Sequence, residues 1–245
     1  MDKQPVIYKD LGVIDYKKAW DIQEQLLQEN VAIKTAARLS GTNSPATSLP
    51  TKHYFLLCEH PPVYTLGKSG SMDNMLMTDA EMQEHGIEFF KTNRGGDITF
   101  HGLQQIVGYP ILDLEKFYTD IGKYLRNLEE VIIDALSVYG IKGERSKGET
   151  GVWIEPGIAG CERKICALGV RCSRWITMHG FALNVNTDLD YFNNIIPCGI
   201  QNKKVTSIEK EVGHKVDYDN MKLSIKKSFE KIFEVEIQPE LSAVI

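Results

Sequence analysis

The sequence lacks the features that usually mark membrane, exported and nucleotide-binding proteins. No run of hydrophobic residues approaches the length that spans a bilayer, and the first ten residues, MDKQPVIYKD, contain no apolar core of a signal peptide. There is no Walker A motif, and no GxGxxG sequence follows a predicted strand. We therefore expect a cytoplasmic protein with no membrane partner and no bound nucleotide.

Cysteine is scarce and scattered. The five residues are Cys58, Cys161, Cys166, Cys172 and Cys198. They include no CxxC pair, and no histidine stands at zinc-ligand spacing from any of them. In a chain without an export signal, this pattern favours free thiols over a disulfide framework. We expect no metal site and no cofactor.

Positive charge is not in excess either. The formal net charge is −5, so wholesale binding to nucleic-acid phosphates is not expected. Apolar residues make up 42% and charged residues 25% of the chain, which is typical of a globular protein. No domain boundary is visible in the 245 residues, so we predict one domain over 1–245 with a polar, flexible loop at 40–52.

The order of predicted elements indicates the fold class. Helical periodicity predicts helices over 16–39, 121–139 and 219–233, and a capping box from Thr78 to Glu81 begins a shorter one. Strand patterns occur at 6–9, 53–58, 63–66, 87–92, 98–100, 105–112 and 151–154, and a hairpin is predicted over 164–170 and 175–185. The first strand is expected at a sheet edge and the second at a buried central position. This order predicts an α+β fold, a mixed, largely antiparallel sheet with helices packed on one side.

Residues 94–110, RGGDITFHGLQQIVGYP, combine a cation, two adjacent glycines and a histidine at a strand end. Gly95 and Gly96 permit close approach of a ligand to the backbone, and the N–H groups of such a turn can surround an anion or a polarised carbonyl. A glycine pair is first of all a turn, so the residues alone favour a structural role. His101 keeps a functional role open.

Lys164 and two thiols form the second region of interest. In a strand, Lys164, Cys166 and Leu168 would point one way and Ile165, Ala167 and Gly169 the other. A lysine near a thiol favours the nucleophilic thiolate, although a lysine that begins an apolar strand is usually only exposed. Cys166 sits among apolar residues, where an inert buried thiol is expected. Cys198, between Pro197 and Gly199, is the modestly favoured alternative.

Taken in order, ten segments between about residues 53 and 207 resemble one family, the lipoyl(octanoyl) transferases, also called lipoate-protein ligase B. The segments that carry the resemblance are LCEH at 57–60, VYTLG at 63–67, RGGDITFHG at 94–102, QIVGYPI at 105–111, GVW at 151–153, KI at 164–165, LGVR at 168–171, TMHGFALNV at 177–185, PCG at 197–199 and TS at 206–207. Each is weak alone, but their succession is specific. One departure is notable: where the family commonly has HGPGQ, this chain has His101-Gly102-Leu103-Gln104-Gln105.

The resemblance implies a reaction and a set of site residues. An octanoyl or lipoyl group would pass from acyl carrier protein, through a thioester on Cys198, to a lysine of a lipoyl domain, with Lys164 tuning the thiol and acting as base. Acceptors of the family are the lipoyl domains of 2-oxoacid dehydrogenases and the glycine cleavage H protein. Family acyl-site residues map to Arg94, Gly95, Gly96, Asp97, Ile98, Thr99, Phe100, His101, Ala167, Leu168, Gly169, Gly180, Phe181 and Ala182, with His179 as a further candidate.

The family also implies the fold of biotin and lipoate protein ligases. We expect Phe100, Leu168, Phe181 and Leu183 to line an apolar slot for the acyl chain. A basic surface is expected to guide the acidic carrier. Its candidates are Arg145, Lys147, Arg163, Arg171, Arg174, Lys203 and Lys204. The alternatives are an ATP-dependent ligase of the same fold and a non-catalytic module that binds an acyl carrier.

Overall fold

The computed structural model describes residues 3–39, 50–196 and 204–239. Most of the predicted loop at 40–52, and the segment Pro197-Cys198-Gly199, lie outside the described residues. The strands are β1 (Gln4–Val13), β2 (His53–Glu59), β3 (Val63–Leu66), β4 (Glu88–Lys91), β5 (Ile98–His101), β6 (Gln105–Ile111), β7 (Val152–Ile154), β8 (Arg163–Ser173), β9 (Ile176–Asn184), β10 (Lys204–Val205) and β11 (Val235–Pro239). The helices are α1 (Tyr16–Leu39), α2 (Asp79–Glu84), α3 (Ile121–Ser137), α4 (Ile208–Val212) and α5 (Tyr218–Phe233).

Eight strands form one mixed sheet in the order β10-β8-β9-β6-β2-β1-β11, and β7 also pairs with β8. The β2–β6, β6–β9, β8–β9 and β7–β8 pairs are antiparallel, whereas β1–β2, β1–β11 and β8–β10 are parallel. The predicted α+β class, the hairpin of β8 and β9 and the central position of β2 are confirmed. The predicted edge position of the first strand is wrong, because β11 returns from the end of α5 and pairs with β1.

Helices cover both faces of this sheet, so the expectation of helices on one side is also wrong. Phe55 and Leu57 of β2 belong to a core formed with α3 and α5, whereas Leu56 and Cys58 belong to a second core formed with α1. The physical reason is present in β2 itself: successive side chains point to opposite faces, and a continuous apolar run requires both faces to be buried. Phe55 stacks on Phe229 of α5 with ring centroids 4.2 Å apart.

A smaller sheet of three strands, in the order β4-β3-β5, lies beside the large one. The β3–β5 pair is antiparallel and the β3–β4 pair is parallel. The predicted capping box begins α2, since the Thr78 side chain accepts from the Glu81 N–H and the Glu81 carboxylate accepts from the Thr78 N–H. The loop that joins β4 to β5 contains Arg94 and the glycine pair, and it extends towards β8 of the large sheet.

Among the described helices, none has both the length and the apolar composition required to cross a membrane. Within the same residues, no group of three or more His, Cys, Asp or Glu side chains is arranged to hold a metal ion.

Candidate active site

A cavity of about 340 Å³ lies between the large sheet and the glycine loop of the small sheet. This volume is in the range of small-molecule sites. The predicted residues that line it are Arg94, Gly96, Asp97, Ile98, Thr99, His101, Lys164, Ala167, Leu168, Gly169, His179, Gly180, Phe181 and Ala182. The fold therefore brings together three separate segments of the sequence, 94–101, 164–169 and 179–182.

Three residues expected near the acyl chain do not line the cavity. Phe100 is buried in the core of the small sheet, where it stacks on Tyr191 with centroids 4.5 Å apart. Leu183 belongs to the core beneath α3 and α5. Gly95 instead donates its N–H to the Val170 carbonyl, 2.9 Å away, and so joins the loop to β8. Leu183 lies in the same core as Phe181, and Phe100 in the same core as Ile98, so a position within a family segment does not by itself place a side chain in the cavity.

Arg94 is mainly engaged in holding the loop. Its guanidinium donates to the Thr65 carbonyl at 2.7 Å, to the Thr65 hydroxyl at 2.9 Å and to the Gly95 carbonyl at 3.0 Å. A side chain at Gly169 would lie 2.7 Å from the Gly95 oxygen and 3.2 Å from Arg94 Cδ, so the loop can approach β8 only because that position is glycine. The loop therefore forms one wall of the cavity, and the Arg94 guanidinium is hydrogen-bonded to two backbone carbonyls.

Lys164 is held between β7 and the cavity. Its Nζ lies 4.6 Å from the centroid of the Trp153 ring, a cation–π contact. The register between β7 and β8 shifts by one residue, since Val152 pairs with Cys166 and Trp153 with Lys164. Ile165 and Cys166 both enter the core with α3, and Lys164 lines the cavity together with Ala167. The predicted common face of Lys164 and Cys166 is therefore wrong, because a bulge breaks the alternation at this point.

The surroundings of Cys166 make it an unsuitable nucleophile. It is fully buried, and burial raises the pKa of its thiol well above the usual range. A thiol that stays protonated is a poor nucleophile.

Glu129 of α3 anchors the wall next to Lys164. Its carboxylate is completely buried and accepts from the Gly151 N–H at 3.0 Å, from Arg126 at 2.6 Å and from Arg145 at 3.1 Å. Gly151 follows Gly148, Glu149 and Thr150, which line the cavity. The position of this wall thus depends on a buried charge located on a helix of the core.

The histidines of the site are neutral. Burial lowers the pKa of His60 to about 4 and, together with the charges of Arg94 and Arg171, that of His179 to about 3. Burial, reinforced by the nearby His60 ring and the Arg94 cation, holds the pKa of His101 well below its usual value. A residue with so low a pKa is a weak base at neutral pH.

His101 is instead part of a buried polar chain. Its Nδ1 donates to Gln105 Oε1 at 2.8 Å, and the Gln105 amide donates to Asn184 Oδ1 at 2.8 Å. The Asn184 amide donates to the Thr206 carbonyl at 3.0 Å, and the Thr206 N–H donates to the Lys164 carbonyl at 3.0 Å. This series of hydrogen bonds links His101 of β5 to the backbone of Lys164 in β8.

The comparison with known proteins decides the family. Residues 15–230 match the lipoyl protein ligase A/B catalytic domain. The octanoyltransferase of Christiangramia forsetii is 54% identical over 239 residues, covering 97% of this chain and 99% of that protein. The octanoyltransferase of Flavobacterium johnsoniae is 56% identical over 230 residues, covering 94% of this chain and 97% of that protein.

The chain belongs to the lipoyl(octanoyl) transferase family. It is an acyltransferase, and the resemblance seen in the sequence is confirmed. Solved structures support the fold: a bipartite lipoate protein ligase of Thermoplasma acidophilum has a TM-score of 0.68 at 15% identity, covering 99% of this chain and 88% of the other. A lipoate-protein ligase A bound with ATP has a TM-score of 0.66 at 14% identity, covering 99% and 90%.

The departure of this chain from HGPGQ places a residue with a side chain in a left-handed backbone conformation. Gln104 stands where the family commonly has glycine and adopts φ +60°. Its N–H donates to Glu59 at 2.6 Å, and its carbonyl accepts from Val185 and Asn186, both at 3.2 Å. These contacts hold the left-handed conformation that a glycine would adopt freely.

Sequence reasoning missed several residues of the cavity wall. They are Tyr16, Gln105, Val107, Tyr109, Gly148, Glu149, Thr150, Asn184, Phe192 and Val205. Gln105, Val107, Tyr109 and Asn184 lie inside segments that carry the family resemblance, which was the available signal. Tyr16 and Glu149 had none, since the first begins a helix and the second lies in a loop.

Proposed function

We propose that this protein transfers an octanoyl or lipoyl group from the thioester of an acyl carrier protein to the ε-amine of a lysine on a lipoyl domain. The observation that carries the proposal is the identity of 54% with an octanoyltransferase over almost the whole length of both chains. The cavity adds support, because Lys164 lines it together with the apolar residues Leu168, Phe181 and Ala182. The proposed acceptors are lipoyl domains of 2-oxoacid dehydrogenases and the glycine cleavage H protein.

The chemistry proceeds in two balanced steps. The Cys198 thiolate attacks the thioester carbonyl, a new C–S bond forms, the C–S bond to the carrier breaks, and the carrier leaves as a thiolate. The acceptor amine then attacks the acyl-Cys198 thioester, an amide forms, and Cys198 leaves as thiolate. Cysteine suits both steps because it is a good nucleophile and a good leaving group.

Lys164 is the proposed base for the incoming amine, which attacks only in its neutral form. Backbone N–H groups beside the glycine turns are the proposed donors to the tetrahedral oxyanion. The acyl chain is held by apolar wall residues, namely the expected Leu168 and Phe181 together with Val107 and Ala182, whereas Phe100 and Leu183 do not line the cavity. At about 0.8 kcal/mol per buried CH₂, this burial contributes several kcal/mol of binding.

The basic docking surface is weaker than the sequence suggested. Arg163 pairs with Glu155 and Glu211, Arg171 pairs with Glu24, and Arg145 pairs with Glu129 and Glu130. These cations are already compensated within the fold, so their contribution to attracting an acidic carrier is reduced. Lys203 lies outside the described residues.

The deciding experiment incubates the purified protein with octanoyl-acyl carrier protein in the absence of ATP and follows its mass. The expected result is an octanoyl adduct that Cys198→Ser abolishes, followed by transfer to a lipoyl domain. A strict requirement for ATP would indicate a ligase, and the absence of any adduct under turnover conditions would indicate a binding module. Lys164→Ala is expected to slow transfer and to move the pH profile of Cys198 alkylation, while the fold stays intact.

A further inference from the structure

The start of β8, where Lys164 lies, is held by few backbone hydrogen bonds. Lys164 is the second residue of β8, and its strand neighbours there are Trp153 of the three-residue β7 and Val205 of the two-residue β10. On the β10 side, the Thr206 N–H donates to the Lys164 carbonyl at 3.0 Å. Because strands usually have about three to ten residues, pairing with so short a strand is weak. The position of Lys164 therefore depends on further contacts.

Glu211 of α4 supplies such a contact. Its carboxylate accepts from Arg163 Nε at 2.6 Å, from Arg163 Nη2 at 2.7 Å and from the Thr206 hydroxyl at 2.5 Å. The side chains of Glu211 and Arg163 are only 13% and 24% exposed. The hydrogen bond from Arg163, with that from Thr206, outweighs desolvation and lowers the pKa of the Glu211 carboxyl, so the group is charged at neutral pH. Bidentate pairs of this kind fix geometry as well as contributing energy.

The two residues that Glu211 holds are the nearest neighbours of Lys164 on this side. Arg163 precedes Lys164 in β8, and Thr206 is bonded to the Lys164 carbonyl through its N–H. The helix that carries Glu211 is itself anchored, because Ile208 is fully buried in the core formed with α3 and α5. One carboxylate thus joins the start of β8 to a helix fixed in the core.

We propose that Glu211 is a positioning residue for the transfer reaction, because it clamps β10 to the start of β8 and so holds the Lys164 amine at the acyl group. Val205 of β10 lines the cavity beside Lys164, whereas within the described part of the chain neither Glu211 nor Arg163 does. Glu211 therefore acts through Lys164 and not on a substrate in the cavity. This inference rests on the proposed function, since it takes Lys164 to be the base.

The test compares Glu211→Ala and Glu211→Gln with Glu155→Gln, each in the full-length protein. Glu155 is the matched control: its carboxylate accepts from Nη1 of the same arginine at 2.5 Å, but it lies in the loop after β7 and its side chain is 45% exposed. All kinetics are measured where urea titration shows the variant to be folded.

Glu211→Ala should lower kcat by about tenfold or more, because the Lys164 amine is misplaced, while KM for octanoyl-acyl carrier protein and for the lipoyl domain stays within about twofold. The pH profile of kcat should also move. Glu211→Gln should recover part of the rate, because its amide oxygen still accepts a hydrogen bond, and Glu155→Gln should match the natural sequence. A variant that only loses stability would change neither kcat nor the pH profile under these conditions.

A kcat for Glu211→Ala equal to that of Glu155→Gln would overturn the inference. So would a rise in KM without a fall in kcat, which would indicate that Glu211 contacts a substrate. Hydrogen–deuterium exchange of residues 163–168 gives a readout without turnover, and it should be faster in Glu211→Ala than in Glu155→Gln. If the natural sequence transfers no octanoyl group but this difference is found, the proposed function is rejected and the clamp on β8 is kept. If transfer proceeds and the two variants exchange equally fast, the clamp is rejected and the proposed function is kept.

Discussion

Gly151→Ala tests whether the wall beside Lys164 controls catalysis. Gly151 precedes β7 with φ +124°, a conformation that residues with a side chain rarely adopt. A methyl group built there would lie 2.7 Å from the Cys166 carbonyl oxygen and 3.4 Å from Lys164 Cε. The oxygen belongs to the backbone of β8 and cannot rotate away, so the start of β7 must shift and the Lys164 stem must follow.

Two contributions determine how far Gly151→Ala lowers the free energy of unfolding. A residue with a side chain held in such a backbone conformation costs about 1–3 kcal/mol. A shift of Gly151 also stretches its hydrogen bond to the buried Glu129 carboxylate, which is 3.0 Å long. A hydrogen bond to a charged group contributes about 1.5–3 kcal/mol, part of which would be lost. We expect the free energy of unfolding to fall by about 2–4 kcal/mol. We expect kcat/KM to fall by on the order of 100-fold if the amine of Lys164 moves by about 1 Å.

Urea denaturation and octanoyl-transfer kinetics measure the two effects separately. The matched control is Gly140→Ala, since Gly140 also has a positive φ of +70° but has no atom within 4 Å of a built methyl group. It should lose about 1 kcal/mol of stability from the strained backbone and keep full kcat/KM. A destabilised Gly151→Ala enzyme with unchanged kcat/KM would refute the positioning of Lys164 by this contact. So would an equal loss of activity in Gly140→Ala.

Two further predictions concern buried charge and buried histidines. Glu129→Gln keeps an acceptor for the Gly151 N–H and should retain most of the transfer activity. Glu129→Ala removes that acceptor, so it should lose about 1–3 kcal/mol of stability and more of the activity. Equal transfer kinetics of the two variants would contradict the anchoring role of Glu129. The histidines with lowered pKa in the fold are His53, His60, His101 and His179. Because their folded pKa values lie below the unfolded value, the unfolded chain binds more protons as the pH falls below about 6.5. In urea titrations, the free energy of unfolding should fall towards pH 4 by at most about 1.4 kcal/mol per pH unit for each of these histidines. His214→Gln is the control, because His214 is exposed. A free energy of unfolding that stays constant from pH 7 to 5 would contradict this prediction.

Periodicity was a reliable guide to the bounds of elements. The bounds of α1 match the predicted helix at both ends, and β3 matches its predicted strand. The buried side of α1 was less predictable, because it includes the polar side chains of Gln23, Asn30 and Lys34. Helix 121–139 was predicted two residues too long. Its last turn ends at Ser137, and Gly140 takes the left-handed turn that follows.

Side-chain direction at the site was harder to predict, because it depends on partners distant in the sequence. The placement of Phe100 required knowing that Tyr191 and Phe192 pack on it. The relation of Lys164 to Cys166 required knowing the register of β7 against β8. Neither fact is encoded within the segment concerned, so a correct list of site segments still misplaced individual side chains.

The surroundings of the other cysteines sharpen the case for Cys198. None of the four cysteines within the described residues lines the cavity. Cys58 is 3.5 Å from His60 Nε2, and burial raises the pKa of its thiol well above the usual value. Cys172 is half-buried, and desolvation raises its pKa as well. Cys161 is exposed in the loop between β7 and β8.

In the proposed mechanism the nucleophile reaches an acyl carbonyl beside Lys164, which disfavours the two buried thiols, Cys58 and Cys166, by access and by protonation. Cys161 and Cys172 are excluded by position, because neither contributes to the cavity. In the sequence, Cys198 comes two residues after Ile196, whose N–H donates to the Asn74 carbonyl at 2.8 Å, and Phe192 of the same segment lines the cavity. Octanoylation that survived Cys198→Ser but vanished in Cys166→Ser would overturn this elimination and would require the core around α3 to open during catalysis.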